Sequence, residues 1–64
     1  MTLKEVYTIV RKLQAEADKD SMELFIEWEK TGDPSAWEGY QYCIGKEIAY
    51  MRVSKLIEKE LLEG

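Results

Sequence analysis

Trp28-Glu29-Lys30-Thr31-Gly32-Asp33-Pro34-Ser35-Ala36-Trp37 is the stretch that decides the fold. It contains the only proline of the 64 residues, and helical patterns run up to it from both sides. Gly32 can adopt the left-handed conformation that closes a helix C-terminus. Asp33 offers a carboxylate to the unpaired N–H groups that open a new helix. Pro34 follows at the first helical position, where its missing N–H costs nothing. A helix stop and a helix start thus lie side by side. The spacing predicts a helix over about 2–31, a turn at 32–33 and a second helix over about 34–62. The chain reads as one all-α domain, an antiparallel two-helix hairpin.

Upstream, Thr2 can cap a helix, and Glu5 stands at the capping-box distance. Leu3, Val6, Val10, Leu13 and Ala17 recur at helical three- and four-residue steps. Tyr7 and Ile9 widen this stripe, whereas Lys4, Glu5, Arg11 and Lys12 fall mostly outside it. Residues 14–21 contain no large apolar side chain. One continuous helix that packs through Ala17 and Ser21 is the preferred reading. A break near Asp18–Ser21, with Asp20 and Glu23 starting a fresh helix, is the alternative. Met22, Leu24, Phe25, Ile26 and Trp28 then restore the apolar content.

Downstream, Trp37, Tyr40, Ile44, Ile48 and Met51 form one stripe. Cys43, Tyr50, Ile57 and Leu61 form a neighbouring one, with Val53 and Leu56 close by. This surface is wider than a single partner helix can cover. Gly39 and Gly45 each cost about 1 kcal/mol relative to alanine within a helix. Gly45 and Ala49 share a face and could admit a close neighbour. Folding at Gly32–Asp33 pairs Trp28 with Trp37, Phe25 with Tyr40, Ala17 with Ala49 and Val10 with Leu56.

Two helices of roughly 28 residues, about 42 Å each, enclose no interior of their own. A chain this short needs further support. A single cysteine excludes an internal disulfide, and the lack of histidine disfavours a metal site. No cofactor is expected. Self-association remains, and the pattern predicts a homodimer in the form of a four-helix bundle. Its expected interface comprises Val10, Leu13, Ala17, Ile44, Gly45, Ile48, Met51 and Leu56. The longest apolar runs are only a few residues, so no membrane partner is expected, and the expected location is cytoplasmic.

The net charge of −4 is unevenly spread. Between Gln14 and Glu38, eight acids face two bases, a balance of −6; elsewhere seven bases against five acids give +2. A hairpin gathers the acidic segment around its turn. Such a chain has no overall footprint for nucleic acid, and a protein with a basic surface is the expected partner. Histidine, the commonest general base, is missing, and Cys43 lies on an apolar stripe without a base to activate it. The carboxylate pairs Glu16/Asp20 and Glu23/Glu27 read as solvated faces, and no phosphate-cradling loop is present. A non-enzymatic role follows.

The aromatics Phe25, Trp28, Trp37, Tyr40 and Tyr42 gather at the acidic end. They read first as the end-cap of the hairpin core. They read second as a partner-binding tip, built from Glu27, Glu29, Asp33, Trp37, Glu38 and Tyr42. Tyr42 stands out because neither main stripe accounts for it. In size and charge the chain resembles small acidic accessory proteins of phages and mobile elements. Some of those block nucleic-acid-binding proteins by imitating phosphate charge. That likeness implies a regulator or inhibitor. A purely structural dimeric module is the alternative. A third reading follows from similarity to small plasmid-encoded RNA-binding bundles, and would use Arg11, Lys12, Arg52, Lys55 and Lys59.

Overall fold

The computed structural model describes residues 1–63 and consists of two helices, α1 (Leu3–Thr31) and α2 (Pro34–Glu63). They pack against each other as an antiparallel hairpin with Cα extents of 48 × 14 × 14 Å. α1 opens with a capping box. The Thr2 hydroxyl accepts from the Glu5 N–H at 3.2 Å, and the Glu5 carboxylate accepts from the Thr2 N–H at 3.3 Å. α1 is continuous through Asp18–Ser21, without the alternative break.

The turn follows the local chemistry. Gly32 has φ +67°, the only positive φ among the described residues, and its N–H reaches the Trp28 carbonyl at 2.7 Å. A side chain there would be strained by the left-handed backbone. Thr31 donates back to the Glu27 carbonyl and accepts from the Asp33 N–H. The Asp33 carboxylate caps α2 by accepting from Ser35 N–H at 2.9 Å.

The contact between the helices follows a strict four–three alternation. On α1 the seam is Tyr7, Val10, Gln14, Ala17, Ser21, Leu24 and Trp28. On α2 it is Ala36, Tyr40, Cys43, Glu47, Tyr50, Ser54 and Ile57. These residues are buried or half-buried, and nearly all the rest of α1 is exposed. The spacing is the heptad signature of supercoiled helices. The fully buried positions are mostly small: Ala17, Ser21, Ala36, Cys43 and Ser54, with Ile57 the one large member. Small side chains let two helices approach closely, and two helices alone cannot surround a large one. The polar members find partners. Ser21 Oγ donates to the Asp18 carbonyl at 2.8 Å, and Ser54 Oγ reaches Gln14 Oε1 across the seam at 3.5 Å. Tyr7 OH donates to the Glu58 carboxylate near the chain ends.

The antiparallel register matches the sequence pairing, but the face that α2 turns inward does not. Trp28 packs against Trp37 with ring centroids 4.7 Å apart, and Phe25 against Tyr40 at 5.4 Å. Ala49 and Leu56 are exposed, Leu56 by 66 %, so neither faces Ala17 or Val10 from within the seam. The Cys43–Tyr50–Ile57 row occupies that place. Both this row and the pair Ile44 and Met51 repeat every seven residues, so the repeat alone does not choose which of them turns inward. Gly45 has no neighbour within 4 Å, so the close approach expected there is not made within the hairpin. Gly39 meets Leu24 instead; a Cβ there would come within 3.1 Å of Leu24 Cδ1.

Candidate interaction surfaces

A two-helix layer has two broad faces, and the heptad columns assign residues to each. On one face α1 presents Lys4, Arg11, Asp18 and Phe25 in one column, with Thr8, Ala15 and Met22 beside it. α2 contributes Trp37, Ile44, Met51 and Ile48. On the opposite face α1 presents Val6, Leu13 and Ile9, and α2 presents Tyr42, Ala49, Val53 and Leu56.

The first face is apolar in its turn half. There a groove of about 320 Å³ runs between the helices, with Met22, Phe25, Ile26 and Ile44 in its walls. Met22 is 60 % exposed and Ile26 49 %. Asp18 and Glu47 line the end of this groove nearer the chain termini. They also line the adjoining depression with Arg11 and Gln14. Burial and the nearby Asp18 charge together hold the Glu47 carboxyl above its ordinary value of 4.5. The folded chain therefore binds this proton more tightly than the unfolded chain. Glu47's contribution to stability is complete below pH 4.5 and is lost as pH rises through the raised folded value. Glu47→Gln should remove that part of the pH dependence. At neutral pH it should raise stability by about 0.5 kcal/mol, or roughly 2–4 °C in Tm, as expected for relief of one exposed like-charge contact. Thermal melts from pH 4 to pH 8 would show a flatter profile for the variant; unchanged profiles would mean that Asp18 and Glu47 do not interact.

The second face is apolar in its terminal half. Ile9 and Leu13 on α1 lie level with Leu56 and Val53 on α2, and all four are exposed. The residues expected to form one dimer interface therefore divide among several places. Val10 is half-buried and Ala17 buried in the intramolecular seam. Ile44, Ile48 and Met51 lie on the groove face, Leu13 and Leu56 on the opposite face, and Gly45 on the outer back of α2.

At the turn end, Phe25, Trp28, Trp37 and Tyr40 form one chain of tilted ring contacts, with centroids 4.7–6.0 Å apart. Trp37 is half-buried in that cluster. Tyr42 stands apart, 68 % exposed, with the Lys46 ammonium 5.0 Å from its ring centre. Glu27, Glu29, Asp33 and Glu38 are all exposed around this end, and Asp33 also serves as the helix cap. The structure brings these acids together as a rim around the tip, spread over several heptad columns.

The five basic residues weighed for nucleic acid are dispersed over the hairpin. Lys12 lies on the outer back of α1, Arg52 and Lys59 on the outer back of α2, and Arg11 and Lys55 on the groove face. Among the described residues, no group of three or more carboxylate, cysteine or histidine side chains could hold a metal ion. No described helix is long and apolar enough to cross a membrane. Sequence reading placed Ala17 and Ser21 at the helix contact but missed the α2 side of the seam and the groove. The seam is signalled by the four–three spacing itself, and the groove by reading that spacing in register across the turn. Comparison with protein-family models, curated proteins and solved structures finds no match.

Proposed function

We propose that this hairpin is a non-enzymatic regulatory or inhibitory protein that acts through protein–protein contact. Its acidic turn half engages a partner with a basic surface, and its terminal half pairs two hairpins into a homodimer. The observation that carries this reading is the exposure of large apolar side chains on both faces of a two-helix layer, Met22 and Ile26 on one and Leu56 on the other. Apolar side chains gathered in this way mark interaction sites. Charge divides the work between the halves. Pairing through the turn half would bring two strongly acidic segments together, whereas the terminal halves carry little net charge. The face with Ile9, Leu13, Val53 and Leu56 is assigned to the dimer on the strength of these four exposed apolar side chains. Two hairpins laid together there form four-helix packing over the terminal half.

The acids of the turn half attract basic surfaces and can stand in for phosphate charge at a nucleic-acid-binding protein. The experiment compares immobilised wild type with the E27Q/E29Q/D33N/E38Q variant for retention of basic proteins at low salt. Asparagine at position 33 keeps the helix cap, so the fold is preserved and circular dichroism should not change. The variant should lose proteins that the wild type holds. Equal retention by both would remove the acidic end from the mechanism.

A further inference from the structure

The groove face reverses its charge along its length. Its turn half carries Asp18 and Glu47 without a base among the described residues. Its terminal half carries Lys4, Arg11 and Lys55, and the Glu58 carboxylate there is engaged by the Tyr7 hydroxyl. Exposed Ile48 and Met51 lie between the acids and the bases. Arg11 is seven residues from Asp18, and Lys55 is eight from Glu47. On each helix, then, opposite charges stand about 10–12 Å apart.

An antiparallel second copy, laid face to face, sets α1 on α1 and α2 on α2. A two-fold axis that brings Arg11 of one copy to Asp18 of the other crosses α1 between Gln14 and Ala15. An axis that brings Lys55 to Glu47 crosses α2 at Met51. By the register that sets Trp28 against Trp37 and Tyr7 against Glu58, Met51 lies level with Gln14. One axis therefore satisfies both ion pairs, from spacings on two helices that nothing else obliges to agree. It also places the two Met51 side chains together beside Ile48. Lys4 comes beside Phe25 of the other copy, where a cation can lie on the ring. This agreement selects a second copy, because a foreign chain has no reason to match a spacing internal to this one. A parallel copy would instead bring four carboxyl groups to one level.

We propose that the groove face is a second self-contact, in which an antiparallel copy pairs its Arg11 and Lys55 with Asp18 and Glu47 around the two Met51 side chains. The two-fold repeats each pair, so one contact holds four ion pairs. Exposed ion pairs contribute little each, and the apolar centre is small, so the contact is weak. A Kd of about 1 mM leaves it unseen at the micromolar concentrations at which size exclusion reads the terminal-half dimer. It gains force where copies are held close, because neighbours joined by a short span meet at effective concentrations of the same order. The two self-contacts use opposite faces, and neither closes the other. Hairpins gathered along an extended basic partner therefore stack, with their acidic turn ends projecting clear of both contacts. The groove contact itself rests on neither the terminal-half dimer nor the basic partner.

The test starts from L13Q/L56Q, which removes the terminal-half contact without adding charge. Its mass is read by sedimentation equilibrium at about 1 mM protein and about 0.1 M salt, where charges act over about 10 Å. About half of the chains should be paired, and the pairing should fade in about 1 M salt. On that background, R11D or D18R alone turns two of the four pairs into like charges and should weaken pairing about tenfold. An equimolar mixture of these two variants should pair as the background does, because each chain then offers the charges that the other lacks. Both variants keep a net negative charge, so no general attraction accounts for that recovery. K12D makes the same charge change as R11D on the outer back of α1 and should leave pairing unchanged. All of these positions are exposed, so helicity should not change. A background that stays at 7.5 kDa at about 1 mM would overturn the proposal. So would a mixture that pairs no better than its components, since Arg11 and Asp18 would then not meet across chains. A loss in K12D as large as that in R11D would overturn it as well, by showing an effect of net charge alone.

Discussion

Ala17→Leu is expected to remove most of the stability of the hairpin. Ala17 is 3 % exposed and sits in the seam beside Ser21, opposite the row that contains Cys43, Tyr50 and Ser54. Leucine and alanine differ little in helix propensity, so the helix itself has no reason to object. The added side chain has no space unless the helices separate. Overpacking typically costs about 1–3 kcal/mol. A domain of this size has only about 3–5 kcal/mol in total. Separation would also weaken neighbouring contacts, including Ser54 with Gln14. Ala15→Leu is the control, two residues away on the exposed surface, and should change stability by no more than about 0.5 kcal/mol. Urea titrations of the two variants read the difference directly. Equal stabilities would mean that the four–three seam is not the packing surface.

Trp28→Ala should cost about 2–3 kcal/mol, below the roughly 3–5 kcal/mol of a fully buried tryptophan because Trp28 is half-exposed. Its ring contacts both Trp37 and Phe25, and pairs of this kind add about 0.5–1.5 kcal/mol beyond area alone. The loss should appear as a lower melting temperature and a collapsed near-ultraviolet dichroism signal from the paired indoles. Tyr42→Ala, in contrast, removes an exposed ring that lies against the Lys46 ammonium, and should cost about 0.5 kcal/mol. If Trp28→Ala were neutral, the aromatic cluster would be free for a partner rather than holding the turn end closed.

The turn was legible because each of its residues has a local reason to be there. Gly32, Asp33 and Pro34 serve as C-cap, N-cap and first helical residue without help from the rest of the chain. The capping box of Thr2 and Glu5 was legible on the same grounds. Register followed from the turn, which is why Trp28 meets Trp37 and Phe25 meets Tyr40. The inward face of α2 was not legible from hydrophobicity, since Gln14, Ser21, Glu47 and Ser54 all lie in the seam. Large apolar residues such as Ile44, Ile48 and Met51 drew the stripe toward them. Two helices that pack closely need small groups between them, and they leave the bulky ones outside. Those bulky residues are the candidate interaction surfaces. Asp18 and Glu47 are far apart in sequence, and only the register brings them to one groove.

The claim that the outer apolar faces serve interaction is tested most directly by the solution mass of the chain. It is measured by light scattering after size exclusion over a wide range of concentrations, for the wild type and for L13E/L56E. The wild type should reach twice the 7.5 kDa chain mass, and the variant should stay at 7.5 kDa while remaining helical. A wild type that remains at 7.5 kDa at every concentration would contradict the dimer and leave the terminal-half face without its assigned partner.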